Sequence, residues 1–115
     1  MDVLQGTLDL LILKTLAWGP MHGYGVSKWI HDRTDQVLLV EDAALYQALH
    51  RLARKKLVEA EWGLSENNRK AKFYQLTARG RAQLRAELAT WKRYTDAVAG
   101  VLARHARRPF DMAAR

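Results

Sequence analysis

The chain contains no cysteine, which rules out disulfides and thiolate-held metals and suits a reducing cytoplasm. Proline is scarce, with two among 115 residues, and Gly19-Pro20 marks the first clear helix stop. Long hydrophobic runs are missing too. Leu8-Asp9-Leu10-Leu11-Ile12-Leu13 is interrupted by Asp9, meets Lys14 at once and follows no basic segment. It is too short to span a bilayer and reads as a core helix. Apolar residues are not lacking in sum: 49% of the chain is hydrophobic and 27% charged, the balance of one folded domain rather than of a disordered chain.

Catalytic constellations are also absent. His22, His31, His50 and His105 include no pair at i, i+3 or i, i+4, so no metal set is expected. Gly23-Tyr24-Gly25 is preceded by no strand and followed by no Gly-Lys-Ser/Thr, so it is not a phosphate loop. No spacing suggests a nucleophile beside a base. The expectation is a protein without catalysis, cofactor or metal.

What is present is positive charge, unevenly placed. The net charge is +7, yet residues 1–50 hold three basic against six acidic residues. Residues 51–115 hold sixteen basic against six acidic, a net +10. An excess confined to one part of a small domain fits a polyanion-binding face, although lysines and arginines on helix surfaces are often merely solvated.

Hydrophobic periodicity orders the chain. Leu4 to Trp18 reads as a helix, and a second runs from about His22 or Gly23 to Arg33 with Val26, Trp29 and Ile30 inward. Thr34-Asp35-Gln36 is a turn, followed by a short extended run, Val37 to Val40. Glu41 or Asp42 caps a third helix to Lys55, in which Leu45, Leu49 and Leu52 share one face. The other face carries Gln47, His50, Arg51 and Arg54, groups able to hydrogen-bond in a DNA groove. The period then changes to two. Val58, Ala60 and Trp62 alternate with Glu59 and Glu61, a half-buried strand; Gly63 to Lys70 is a basic, amide-rich loop, and Ala71 to Leu76 returns as the second strand of a hairpin.

Thr77 is a good cap for a last helix from Ala78 to Arg104. Leu84, Leu88, Trp91, Thr95, Val98 and Leu102 form a heptad-like seam on it, about 40 Å long at 1.5 Å per residue. A core this small cannot cover such a stripe, so a second subunit is expected there. The order is mainly α, with a β hairpin: a winged helix-turn-helix (residues 1–77), a dimerisation helix (78–104) and a tail (105–115). Such readers bind paired half-sites about one helical turn apart, which implies a palindromic operator in double-stranded DNA.

Several segments resemble the PadR family of bacterial transcriptional regulators. Gln5-Gly6-Thr7-Leu8-Asp9-Leu10-Leu11-Ile12-Leu13 is similar to that family's first helix, and Gly19-Pro20-Met21-His22-Gly23-Tyr24-Gly25 to its link into the second. Leu45 to Leu52 resembles its recognition helix, and Ser65 to Thr77 its wing and return strand. Gly80 and Trp91 fall where the family's last helix has them. The short last helix resembles the small-size branch, some of whose members bind drugs between subunits. Four positions depart from the family pattern. Ala43 and Ala44 replace a glycine and a hydroxyl residue, Gln47 replaces a common proline, and Lys56 replaces a glycine. Lys56 would cost on the order of 1 kcal/mol if its site is left-handed.

The expected DNA-binding residues are therefore Tyr46, Gln47, His50, Arg51 and Arg54 on the recognition helix, with Asn68, Arg69, Lys70 and Lys72 on the wing. The resemblance supports a phosphate contact for the Tyr46 hydroxyl. Asn67 and Asn68 have a second reading, since asparagine tolerates left-handed turns and serves simply to make a loop. Trp91 has two readings, seam packing or one wall of a pocket for a small planar aromatic effector. The resulting expectation is a repressor released from DNA by such an effector. Its rivals are a ligand-binding dimer whose DNA function has decayed and an adaptor whose basic face meets an acidic protein.

Overall fold

The computed structural model describes residues 1, 3–4 and 6–103. In chain order these form α1 (Leu8–Leu16), β1 (Met21–His22), α2 (Gly23–Arg33), α3 (Asp42–Arg54), β2 (Val58–Leu64), β3 (Lys70–Leu76) and α4 (Ala78–Leu102). The strands make an antiparallel sheet of order β1-β3-β2, with Val58 opposite Leu76 and Leu64 opposite Lys70 in the hairpin. The result is α+β, three helices carrying a two-stranded wing and continued by one long helix.

The core is where the apolar faces of α1, α2 and α3 meet. Ile12, Leu13 and Leu16 of α1 pack with Val26 and Ile30 of α2 and with Leu45, Ala48, Leu49 and Leu52 of α3. Val58, Tyr74 and Leu76 close it from the base of the wing. Each fully buried leucine removes apolar surface worth about 2 kcal/mol from water. All the buried residues of α3 lie on the face predicted from Leu45, Leu49 and Leu52, so its opposite face is left free.

The structure corrects several local expectations. Helix α1 begins at Leu8 rather than Leu4, because Gly6 has φ +91°, outside helical space. The run from Val37 to Val40 is no regular strand; the Leu39 amide donates to the Met1 carbonyl at 2.8 Å, one isolated bridge. Strand β1 was not expected, since two residues contain no period to read. The wing strands run further than expected, and the loop shrinks to residues 65–69. There Asn68 sits at φ +59° and its amide donates to the Ser65 carbonyl at 2.8 Å, which is the turn-forming reading. Trp62, expected on the half-buried side, is 60% exposed because the wing extends past the core that covers its base. Leu84, expected in the intersubunit seam, is buried in the protomer's own core. Arg104 and the tail lie outside the described residues.

One joint fixes the helices relative to each other. After α3 the Leu57 amide donates to the Leu52 carbonyl at 3.0 Å and the Lys56 amide to that of Ala53 at 2.9 Å. These are the two bonds of a Schellman stop, with Lys56 at φ +61° where glycine is usual. The chain returns at Thr77, whose amide donates to the Leu57 carbonyl at 3.1 Å. The Thr77 hydroxyl donates to the Lys56 carbonyl at 2.7 Å and accepts from the Gly80 amide at 3.0 Å, capping α4 as expected. Gly80 lies directly over the Leu57 carbonyl, with no room for a Cβ. Gly80→Ala must therefore push α4 off the joint and should cost about 3 kcal/mol in chemical denaturation. A variant as stable as the wild type would show that the joint yields freely.

Candidate nucleic-acid interface

Helix α3 presents Tyr46, Gln47, His50 and Arg54 to solvent. Gln47, His50 and Arg54 follow at i, i+3 and i+7, one polar stripe along the helix opposite its buried leucines. Arg51 departs from the expectation. Its guanidinium donates to the Asp9 carboxylate of α1, forming an ion pair in which both side chains are partly covered. Arg51 braces the recognition helix against α1 instead of standing free on the stripe. Two residues that distant in sequence could not be paired from periodicity.

The wing sorts its charges by face. Val58, Ala60, Trp62 and Leu64 of β2 register with Leu76, Tyr74, Lys72 and Lys70 of β3. This face covers the core at its base and continues outward as Trp62, Lys72, Leu64 and Lys70. The Lys70 ammonium lies over the Trp62 ring, 5.2 Å from its centroid. The acidic residues Glu59 and Glu61 take the opposite face, where Gln75 donates to Glu59 at 2.8 Å. Arg69 is exposed in the turn.

Between this cationic wing face and the helices runs an open cleft of about 510 Å³. Its helical wall holds His22, Tyr24 and Tyr46, and its wing wall holds Trp62, Lys70 and Lys72. His22 is the cap of α2, with Nδ1 accepting from the Gly25 amide at 2.9 Å. In neutral His22 the proton therefore sits on Nε2. Gly23 is buried beneath Tyr46, and a Cβ there would lie 2.8 Å from the tyrosine ring. Tyr46 thus rests on the backbone of the first turn of α2. Burial, with Tyr46 beside it, raises the Tyr74 hydroxyl pKa above its ordinary value. Trp62, Tyr24 and His22 were missed as site residues from the sequence. The legible signal was the alternation that places Trp62 and the wing lysines on one face.

Helix α4 leaves Leu88, Trp91, Val98 and Leu102 of the expected seam exposed, with Thr95 half-buried. Tyr94 and Val101 widen the apolar surface. The Thr95 hydroxyl donates to the Trp91 carbonyl at 2.9 Å within the helix. A second cavity of about 370 Å³ lies between α1 and α4, lined by Gly6, Leu10, Glu87, Thr90, Trp91 and Tyr94. The Trp91 and Tyr94 rings are 6.3 Å apart. Gln83 donates to Oε1 of Glu87 at 3.2 Å, while Oε2 is buried without a partner among the described residues.

No described helix is long and apolar enough to cross a membrane. Residues 12–86 match the transcriptional regulator PadR-like family. An uncharacterised protein of Lysinibacillus sphaericus is 32% identical over 90 residues, 78% of this chain and 83% of its own length. A PadR family transcriptional regulator from Eggerthella lenta superposes with a TM-score of 0.74 at 30% identity, covering 88% of this chain and 86% of that one. A PadR-like transcriptional regulator from Bacillus cereus gives 0.76 at 25% identity, over 88% and 96% of the two chains. A transcriptional regulator from Clostridium thermocellum gives 0.79 at 24% identity over 86% and 93%, a likeness of fold. A polar recognition stripe beside a cationic wing thus sits on a shared winged-helix frame, and the chain belongs to the PadR-like family of transcriptional regulators.

Proposed function

We propose that this chain is a homodimeric, cytoplasmic repressor that reads a palindromic operator. Residues 1–77 contact DNA, and the helix from residue 78 onward pairs the subunits. Gln47, His50 and Arg54 meet base edges in the major groove, with Gln47 suited to adenine. Tyr46, Arg69, Lys70 and Lys72 hold the backbone, Arg51 supports them through Asp9, and Asn68 shapes the wing turn. The observation that carries the reading is the single cleft flanked by the exposed end of α3 and by the lysine-bearing wing face. Selection from a random duplex library should enrich a palindrome bound in gel-shift titrations with a steep salt dependence. Replacing Arg69 and Lys70 by Ala should weaken binding and reduce the slope of log K against log salt by about 2, close to one unit per lost phosphate contact. An unchanged slope would remove the wing from the interface.

The exposed apolar stripe of α4 supports a second copy as its cover, since Leu88, Trp91, Val98 and Leu102 recur along one side of a helix that runs beyond the core. The double substitution Leu88→Glu, Val98→Glu should give a folded monomer by sedimentation, with operator affinity lowered about 100-fold through loss of the paired half-site. A double variant that sediments as a dimer would place the interface elsewhere.

An effector reading has one specific observation behind it: the carboxylate Oε2 of Glu87 is buried beside the Trp91 and Tyr94 rings. Aromatic planes next to an anion suit a planar cation. Binding to a dimer with wrongly spaced recognition helices would release DNA by population shift alone. Titration with a planar cationic dye should quench tryptophan fluorescence, and both Trp91→Phe and Glu87→Gln should weaken dye binding about tenfold. Equal binding by both variants would dismiss this pocket.

A further inference from the structure

We infer that the cleft between α2, α3 and the wing is the seat of one DNA strand's sugar-phosphate backbone, and that Trp62 is its principal uncharged contact. The inference rests on the DNA-binding reading above and goes beyond it in naming the occupant of the cleft and residues outside the recognition stripe. A helix in the major groove and a wing in the neighbouring minor groove are separated by one backbone strand. That strand has to pass between the two protein elements. Here the space between them is the 510 Å³ cleft whose walls carry Tyr24 and Tyr46 on one side and Trp62, Lys70 and Lys72 on the other.

The chemistry of the walls suits such a strand. Trp62, Tyr24 and Tyr46 are 60%, 66% and 50% exposed. Flat apolar rings pack against deoxyribose, while Lys70 and Lys72 supply cations for the phosphates on either side. Register places Lys72 directly opposite Trp62, and Lys70 lies over its ring, so the cations and the flat surface form one unit. Tyr46 is seated on Gly23, which fixes one wall of the cleft. Neutral His22 adds a second donor, because its Nδ1 is occupied by the Gly25 amide and its proton is on Nε2. Glu66 also lines the cleft, at the wing loop, and opposes a phosphate there.

Other surfaces carry less. The Trp18–Trp29 patch is already filled by Arg33, whose guanidinium lies 4.6 Å from the Trp29 ring centroid. A planar solute in the aromatic cleft is the main competing occupant, and the wing lysines argue against it by favouring an anionic chain.

The test uses full-length protein and a duplex selected from a random library by the wild type. Trp62→Ala should bind that duplex about tenfold more weakly, the scale of one lost aromatic contact, with the salt slope unchanged because no cation is removed. Trp62→Phe should recover most of the loss. Lys72→Ala should instead reduce the slope by about one. Gly23→Ala should displace Tyr46 and weaken binding while the circular-dichroism melting curve stays close to wild type. Glu66→Gln should strengthen binding. If the wild type binds its selected duplex and Trp62→Ala binds it equally tightly, the backbone seat is wrong while the DNA-binding reading survives. If no duplex is enriched by the wild type, both fall. A Trp62→Ala variant that keeps DNA but loses a planar dye would assign the cleft to a small ligand and overturn the inference.

Discussion

The Leu57 carbonyl is the point on which the architecture turns. It accepts from the Thr77 amide and lies under Gly80, while the Thr77 hydroxyl spans from the Lys56 carbonyl to the Gly80 amide. Three segments that differ in direction, the end of α3, the base of the wing and the start of α4, are therefore locked by backbone atoms. Backbone contacts of this kind leave little rotational slack, because no side chain can change rotamer to absorb a movement. Leu84 then carries α4 into the protomer's core one turn further on. In the proposed dimer, the angle between recognition helix and pairing helix is fixed within each subunit. A change of half-site spacing has to arise where one α4 meets the other.

The same joint explains the price of Lys56. A left-handed residue is required to bring Leu57 under Gly80, and the Schellman bonds hold Lys56 there despite its Cβ. The local cost, on the order of 1 kcal/mol, is small beside the loss of a buried leucine cluster. Strain at this position is thus tolerated because the packing on both sides determines the backbone. Glycine would serve the geometry better, and no contact of the lysine side chain accounts for its presence.

The sequence made visible whatever repeats within one element. Leu45, Leu49 and Leu52 disclosed the buried side of α3, and the acidic alternation of Glu59 and Glu61 disclosed the two faces of β2. Thr77 and the left-handed site at Lys56 were legible as chemistry of single positions. Contacts between elements were not. The Arg51–Asp9 pair joins residues with no shared period, and Leu84 is indistinguishable by spacing from the exposed residues that follow it on α4. Trp62 was read correctly as to face and wrongly as to burial, since alternation tells which side a residue takes but not how far the covering core extends. The cleft around Trp62 is the sum of such omissions: one wall comes from the start of α2, another from α3 and the third from the wing.

Charge illustrates why a face matters more than a total. The net charge is +7, but much of it is already engaged. Lys28 pairs with Asp32, which is held below the ordinary carboxylate range by that hydrogen bond, and Lys92 pairs with Asp96. Arg33 lies over Trp29, and Arg51 is tied to Asp9. Exposed pairs of this kind add little stability, yet they remove cations from the field that a polyanion meets. What remains close to the recognition stripe is Arg54, Arg69, Lys70 and Lys72, while the arginines of α4 project along another element. The wing adds its own segregation by turning Glu59 and Glu61 away. Counterion release counts only phosphates actually neutralised. The electrostatic part of binding is thus governed by a handful of cations arranged around one cleft, and the uncharged rings between them set how closely a strand can approach.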